Sequence, residues 1–340
     1  MKVLTFGEMM LRLKPSAFER IVQTDTFEAA YGGAEANVSV SLAQLGHDSA
    51  YLTKLPENPL GEAAIGALRK YGVDTSNVLR GGPRLGMYFF EKGNGVRGTG
   101  VVYDRAGSSI ATASSAEFNW DVLLKEVGIF YFSGITPAIS KDLETALESA
   151  LEYCKANKIT VVCDMNYRGK MWKPEQAQIV MAKLMPFVDV CIANDEDFEA
   201  CLGIKAFDGD LSHGIEQIED FREGMKEVTK RYPNCKVVAS VLRNINSVEQ
   251  SDWMAILYQN DTFYDTPIHN VNVMEGVAAG DAFGAGLVHG MVEQLDPQET
   301  IEFAIAASVL KLSISGDLNL VTEAEIRNAM QKGSNARLSR

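Results

Sequence analysis

The chain has 340 residues, 46% of them hydrophobic and 23% charged, a balance ordinary for a globular protein and outside the disordered, collagen-like and disulfide-scaffold classes. Its 32 basic and 45 acidic residues leave a net charge of −13, which disfavours a nucleic-acid partner; an anionic substrate would need locally clustered Arg or Lys. No apolar run approaches the roughly 18 residues that cross a bilayer, and Glu8 and Arg12 interrupt the N-terminal MKVLTFGEMMLRL, which also lacks a small-residue cleavage site, so no membrane partner and a cytoplasmic location are expected.

Short β-branched runs alternate with longer helical patterns. In chain order the spacing predicts a strand at 3–6, a helix at 34–45, a strand at 50–55 and a helix at 61–71. A strand at 129–132, a helix at 141–156, a strand at 159–163, a helix at 174–184 and a strand at 188–193 follow. The last part reads as a helix at 215–231, strands at 237–241 and 254–258, and helices at 282–293 and 300–313. Near-continuous apolar strands between helices predict an α/β fold with a mostly parallel sheet covered on both faces.

Two stretches, about 9–31 and 83–110, break the alternation, with strand-like patches and little helical periodicity. The second contains MYFFEKGNGVRGTGVVYDRAG, which reads as strand, glycine-rich turn, strand. Such insertions either cover a site as a lid or are plain surface hairpins. Gly93, Gly95 and Gly98 satisfy G-x-G-x-x-G, but that motif binds a dinucleotide only where it ends a strand and opens a helix. TGVVYDRAG follows instead, so these glycines are assigned to a hairpin tip. The tail 331–340, rich in Gly, Ser, Asn and Arg, is expected to be mobile.

The five cysteines form no C-x-x-C pair and are expected to be reduced thiols. His47, His213, His269 and His289 lack metal-ligand spacing. The segment EGVAAGDAFGAG at 275–286 carries the strongest chemical signal. Small residues Ala278, Ala279 and Gly280 lead into Asp281, and Phe283, Leu287 and Met291 then recur at helical spacing. A helix opened by small residues exposes its first N–H groups and its positive dipole end, an anion site. A carboxylate beside such a site suits proton abstraction from a hydroxyl attacking phosphorus; the alternative for Asp281 is a helix N-cap.

The second signal is YGGAEAN at 31–37, paired glycines before a helix. Gly32 and Gly33 permit close approach of a ligand to the backbone, and Asn37, one turn on, is placed to hydrogen-bond a polyol; a tight turn is the alternative. Asp164-Met-Asn166-Tyr-Arg168 and Asn194-Asp195-Glu196-Asp197 follow predicted strands. Ligands of open α/β sheets bind beyond the carboxyl ends of strands.

Together these pieces resemble the PfkB/ribokinase family of sugar kinases. GGAEANVSVSLAQLG is similar to its N-terminal signature and VAAGDAFGAG to its C-terminal one. Within the family the likeness is to 2-keto-3-deoxygluconate kinases, carried by GEMMLRL, VVYDRAGSS, FSGITPAIS, CDMNYRGKMW and SGDLNLVT. The resemblance implies a three-layer α/β/α ribokinase-like fold over 1–330 with a small β-sheet lid from the two insertions. It implies ATP-dependent phosphorylation of 2-keto-3-deoxygluconate, with Asp281 as base and the backbone of Ala278, Ala279 and Gly280 as anion hole. Gly33, Asn37, Tyr88, Tyr103, Arg105 and Arg168 match positions that hold the ketodeoxy acid. Asn194 and Asp197 fall on the N-x-x-E motif tied to Mg2+ and phosphate, with Asp replacing Glu. Glu275-Gly276 replaces the usual Asp-Thr type pair, and ASVLRNINSVEQSDW stands where a nucleotide loop is usual, so Ser240, Arg243 and the following loop are assigned to ATP. Asn194 and Gly280 join them there. A homo-oligomer paired through lid sheets is also implied. The two arginines favour an acid on physical grounds, since a guanidinium fork matches a carboxylate. A PfkB-type kinase for a neutral sugar of fructose or ribose type, and a non-catalytic sugar-binding protein on the same fold, are the alternatives.

Overall fold

A computed structural model describes residues 1–332. In chain order the elements are β1 (Lys2–Phe6), β2 (Met10–Lys14), β3 (Glu28–Gly32), α1 (Ala34–Gln44), β4 (Ser49–Leu52), β5 (Lys54–Leu55), α2 (Pro59–Arg69), β6 (Leu79–Arg80), β7 (Gly86–Glu91) and β8 (Gly100–Asp104). There follow α3 (Trp120–Leu123), β9 (Val127–Ser133), α4 (Ile135–Ile139), α5 (Lys141–Asn157), β10 (Thr160–Asp164), α6 (Pro174–Leu184), β11 (Val190–Ile192), α7 (Asp197–Leu202) and α8 (Ile218–Arg231). The chain continues through β12 (Val237–Ile245), β13 (Gln250–Gln259), β14 (Thr262–Asp265), β15 (His269–Asn272), α9 (Ala279–Glu293), α10 (Pro297–Lys311) and α11 (Glu323–Lys332).

The large sheet has nine strands in the order β14-β13-β12-β11-β10-β9-β1-β4, with β15 also on β13. From β12 to β4 the pairing is parallel; β13 and its partners run antiparallel. Alternation along β1 explains the two covered faces. Leu4 and Phe6 join the core under α5, α6 and α8, while Val3 joins the core under α1, α9 and α10. Helix α5 shows how one face is paid in sequence: Leu143, Leu147, Ala150, Leu151 and Cys154 recur at helical spacing and are fully buried. Ser140 caps its start by accepting from the Leu143 N–H, and Lys158 ends it in a left-handed conformation.

The two predicted insertions supply a separate four-stranded sheet, β3-β2-β7-β8. β7 and β8 are the predicted hairpin, paired from Met87–Asp104 to Glu91–Gly100, so the three glycines sit in its connection. The inner face of this sheet carries Met10, Arg12, Tyr88 and Phe90, all buried.

Several boundaries differ from expectation for local reasons. The strand predicted at 50–55 breaks at Thr53, and β5 leaves the large sheet to pair with β6. Helix α2 starts at Pro59 because Asn58 accepts from the Leu60 and Gly61 N–H groups. Helix α10 starts at Pro297, capped by Asp296. The helix predicted at 215–231 opens with a 3₁₀ turn, Ile215–Gln217. The helix predicted at 282–293 begins three residues earlier, so Asp281 lies inside its first turn. β12 and β13 are longer than predicted, leaving only 246–249 as their connection. Of the tail, residues 331 and 332 close α11; 333–340 lie outside the described residues. All five cysteines are buried and unbonded. No helix among the described residues is long and apolar enough to cross a membrane.

Candidate active site

A cavity of about 380 Å³ lies beyond the carboxyl ends of β10 and β11, between the large sheet and the inner face of the small one. The first turn of α9 forms one wall. Its N-cap, Ala278, has φ 63°, a left-handed conformation that a Cβ makes costly. That turn lets the chain enter the helix with no side-chain cap, and the first intrahelical bond runs from the Ala282 N–H to the Ala278 carbonyl. The N–H groups of the opening turn are therefore left for a ligand. A Cβ built on Gly280 would meet no heavy atom within 4 Å, so the space beside this turn is open. Ser308 fixes the turn from behind by donating to the Ala279 carbonyl at 2.9 Å.

Asp281 lines this cavity and is 8% exposed. Asn37 Nδ2 donates to its Oδ2 at 2.7 Å. Burial pushes the Asp281 carboxyl up to about 7; the Asn37 bond and Arg168 oppose the rise, and Glu35 and Asp317 add to it. A carboxylate that takes a proton near neutral pH is suited to general-base work. Asn37 accepts in turn from the Gly33 N–H at 3.4 Å. The amide thus holds Asp281 while Asn37 itself lines the cavity. Gly33 is required because a Cβ there would stand 2.0 Å from the Glu8 carbonyl oxygen.

The wall from β10 and β11 carries Asp164, Asn166, Arg168, Asn194 and Asp197. Arg168 is exposed to the cavity, and no carboxylate lies within ion-pair distance of it among the described residues. The Asp197 carboxylate accepts from the Tyr167 N–H at 2.8 Å and the Asn194 N–H at 2.9 Å. Burial raises Asp197 to about 6, against those two bonds. Asn194 Oδ1 accepts from the Val241 N–H at 2.7 Å. These oxygens, expected to serve a metal, are already engaged in shaping the loop. Asp164 instead keeps Oδ1 buried without a partner, while Oδ2 accepts from Asn166 at 3.1 Å. Burial, then Asp197 and Asp281, push Asp164 well above the usual carboxylate range. Among the described residues no three His, Cys, Asp or Glu side chains form a metal cluster.

Arg243 lines the cavity, paired with Asp195 and 5.3 Å from the Trp253 ring. Ser240 does not line it. Along β12, Ser240 shares a face with Val238 and Leu242, which belong to the core on the far side of the sheet, whereas Val241 and Arg243 face the cavity. The expectation that Ser240 contacts a nucleotide is corrected on that ground.

The small sheet contributes Tyr88, Tyr103 and Arg105. The Tyr88 hydroxyl donates to Asp317, which lines the same cavity. Burial and Asp317 push that hydroxyl far up. Tyr103 packs at 5.8 Å from Tyr88. Arg105 is paired with the buried Glu8. Behind the anion-binding turn, Arg12 on β2 is 2% exposed and pairs with Glu275 and, at 2.8 Å, with Asp317; its guanidinium lies 4.2 Å from the Phe90 ring. Glu275 also accepts from Lys14 at 3.3 Å, Ser315 at 3.2 Å and the Gly316 N–H at 3.1 Å. Burial pushes Glu275 up, but Arg12 and Lys14 outweigh it and hold the carboxyl below its usual range. This network ties the small sheet to the loop that presents α9.

The structure thus gathers Asp281, Ala278, Ala279, Gly280, Gly33, Asn37, Tyr88, Tyr103, Arg105, Arg168, Asn194, Asp197 and Arg243 around one cavity and leaves out only Ser240. Sequence reasoning missed Glu8, Arg12, Trp253 and Asp317. For Glu8 and Arg12 a signal existed: charges inside an apolar strand run need buried partners.

The chain is similar to known proteins. The chain is 31% identical over 333 residues to the 2-dehydro-3-deoxygalactonokinase of Haloferax volcanii, spanning 98% of this chain and 97% of that one. It is 44% identical to the crystal structure of 2-dehydro-3-deoxygluconokinase from Thermotoga maritima, with a TM-score of 0.93 over 97% of this chain and 99% of that one. A PfkB family carbohydrate kinase from Listeria grayi is 32% identical, with a TM-score of 0.90 over 97% and 99% of the two chains. Residues 1–324 match the pfkB family carbohydrate kinases, and the chain, a sugar kinase with the ribokinase-like fold, belongs to that family.

Proposed function

We propose that the chain transfers the terminal phosphoryl group of ATP to the 6-hydroxyl of 2-keto-3-deoxygluconate, giving 2-keto-3-deoxy-6-phosphogluconate and ADP. The observation that carries this reading is the shared cavity: the Asp281 carboxylate and the uncapped turn of α9 face the same space as Arg168. The acceptor's carboxylate pairs with Arg168, and its sugar chain runs past Tyr88 and Tyr103 toward Asp281. Asp281 accepts the hydroxyl proton as the oxygen attacks phosphorus, and the bond from phosphorus to the ADP oxygen breaks. The N–H groups of Ala279 and Gly280 stabilise charge on the group in transfer. Arg243 faces the phosphates. Magnesium, when bound with ATP, would neutralise phosphate charge; Asp164, whose buried Oδ1 has no partner, would meet its water shell beside Asn194 and Asp197. The small sheet acts as a lid that excludes water. The 31% and 44% identities to ketodeoxy-sugar-acid kinases support the acceptor class.

A neutral-sugar acceptor is the second reading, favoured by one observation: Arg105 is already paired with Glu8. The test is ADP release with ATP and magnesium over 2-keto-3-deoxygluconate, its galactonate epimer, fructose and ribose. Turnover with the ketodeoxy acids far above the neutral sugars is expected; the reverse order overturns the acid reading, and sugar binding without ADP release overturns catalysis.

A further inference from the structure

The two arginines at the acceptor end of the cavity are not equivalent. Arg168 has no carboxylate partner among the described residues. Arg105, the residue after β8, is held along one edge. Its Nε donates to Glu8 Oε2 at 2.7 Å, and its Nη2 lies against the same oxygen. The other Glu8 oxygen accepts from Ser108 Oγ at 2.6 Å. Glu8 itself is 2% exposed, so water does not compete for the pair. The remaining nitrogen, Nη1, has only the sulfur of Met171 at 3.4 Å, a weak acceptor that a carboxylate displaces readily. The surrounding backbone is shaped to admit the Glu8 side chain, since a Cβ on Gly86 would stand 2.7 Å from Glu8 Oε1.

We propose that Glu8 is a positioning residue for the acceptor, acting through Arg105. It fixes the guanidinium plane so that Nη1 faces the acid end of the acceptor. A guanidinium held by a carboxylate contributes direction, and a free one contributes charge. The proposal rests on the acceptor reading above and deepens it by naming the residue that sets the direction of Arg105.

The test is a double-mutant cycle of Glu8→Gln, Arg105→Met and the pair, with 2-keto-3-deoxygluconate as acceptor and thermal midpoints as the folding control. Each single variant is expected to raise the acceptor KM about tenfold or more, the loss of one charge-assisted contact, with the ATP KM held within about twofold. The double variant is expected to be no worse than Arg105→Met, because Glu8 works only through that side chain. Additive effects in the double, an unchanged acceptor KM in Glu8→Gln, or an equal rise in the ATP KM would overturn the proposal. If Glu8→Gln unfolds, Glu8→Asp, which keeps the charge but draws the carboxylate back from Arg105, carries the test: a raised acceptor KM with an unchanged ATP KM supports the proposal, and an unchanged acceptor KM overturns it. Should the substrate panel select a neutral sugar, the acid reading falls, and the cycle run on that sugar still decides whether Glu8 acts through Arg105.

Discussion

Replacing Asp281 with Asn separates the base from everything else that the residue does. Asn retains a carbonyl oxygen where Asn37 now donates at 2.7 Å, so the local bond survives. The residue is 8% exposed and the substitution is nearly isosteric, so packing survives too. What is lost is proton acceptance. A positioned general base contributes about 10² to 10⁴ in rate, or roughly 3 to 5 kcal/mol of barrier. Turnover measured by ADP release is expected to fall by that factor, while calorimetric binding of 2-keto-3-deoxygluconate changes little. The pH profile gives a second reading. With the carboxyl raised to about 7, wild-type turnover climbs as the pH passes upward through that region, and the climb disappears in the variant. Stability moves the other way. The folded state holds the Asp281 proton to about pH 7 and the unfolded state releases it near 4. Stability is therefore lost as the pH rises between those values. An Asn has no such proton, so the variant is expected to melt higher than wild type at pH 8. Near-wild-type turnover, or an unchanged pH limb, would refute the base assignment.

Three further outcomes follow from the same geometry. Arg168→Ala is expected to weaken the ketodeoxy acid by about 1.5 to 3 kcal/mol, one charge-assisted contact, while barely affecting fructose; equal weakening of both would argue against a carboxylate contact. Glu275→Leu leaves Arg12 and Lys14 with too little opposing charge in a buried site, and urea unfolding is expected to show a loss of about 3 to 5 kcal/mol; a loss under about 1 kcal/mol would mean that the network contributes little. His289 is 1% exposed, stacked 4.2 Å from Phe303 and bonded at 2.8 Å to His47, and burial followed by His47 holds it down at about 4. Because the folded value is depressed, stability present above about pH 6.5 is lost as the pH falls toward 4. The drop in melting temperature from pH 7.5 to 5 is expected to shrink in His289→Leu, and an equal drop in both proteins would contradict it.

The layers of the fold were legible because they rest on local periodicity. Apolar residues every third and fourth position in α5 report burial without reference to the rest of the chain. The start of α9 was legible in part, since small residues before a helix expose its N–H groups wherever the helix lies. The misplaced boundary there came from Ala278, whose left-handed turn belongs to Gly by propensity and is imposed by the surroundings. The bond from Asn37 to Asp281 was not legible. Its partner is 244 residues away, and nothing near position 37 distinguishes an amide that touches a ligand from one that orients a carboxylate. Arg12 is a similar case, with partners 263 and 305 residues distant.

The Ser240 error has a different origin: the strand predicted at 237–241 runs on to Ile245. Residues 240 and 243 both lie on β12, three positions apart. Side chains on a strand alternate faces, so an odd separation places them on opposite sides of the sheet. Only one of the two can face a nucleotide, and Ser240 shares its face with the core residues Val238 and Leu242. An arginine is the costlier group to bury, which leaves 243 for the cavity side. The same parity makes a further demand. Any ligand contact from this strand comes from 241, 243 or 245, and a charge placed at 240 or 242 must unfold the core beneath α8 before it reaches substrate. Ser240→Asp is therefore expected to abolish the cooperative fold, whereas Arg243→Gln leaves the melting temperature close to wild type and raises the ATP KM.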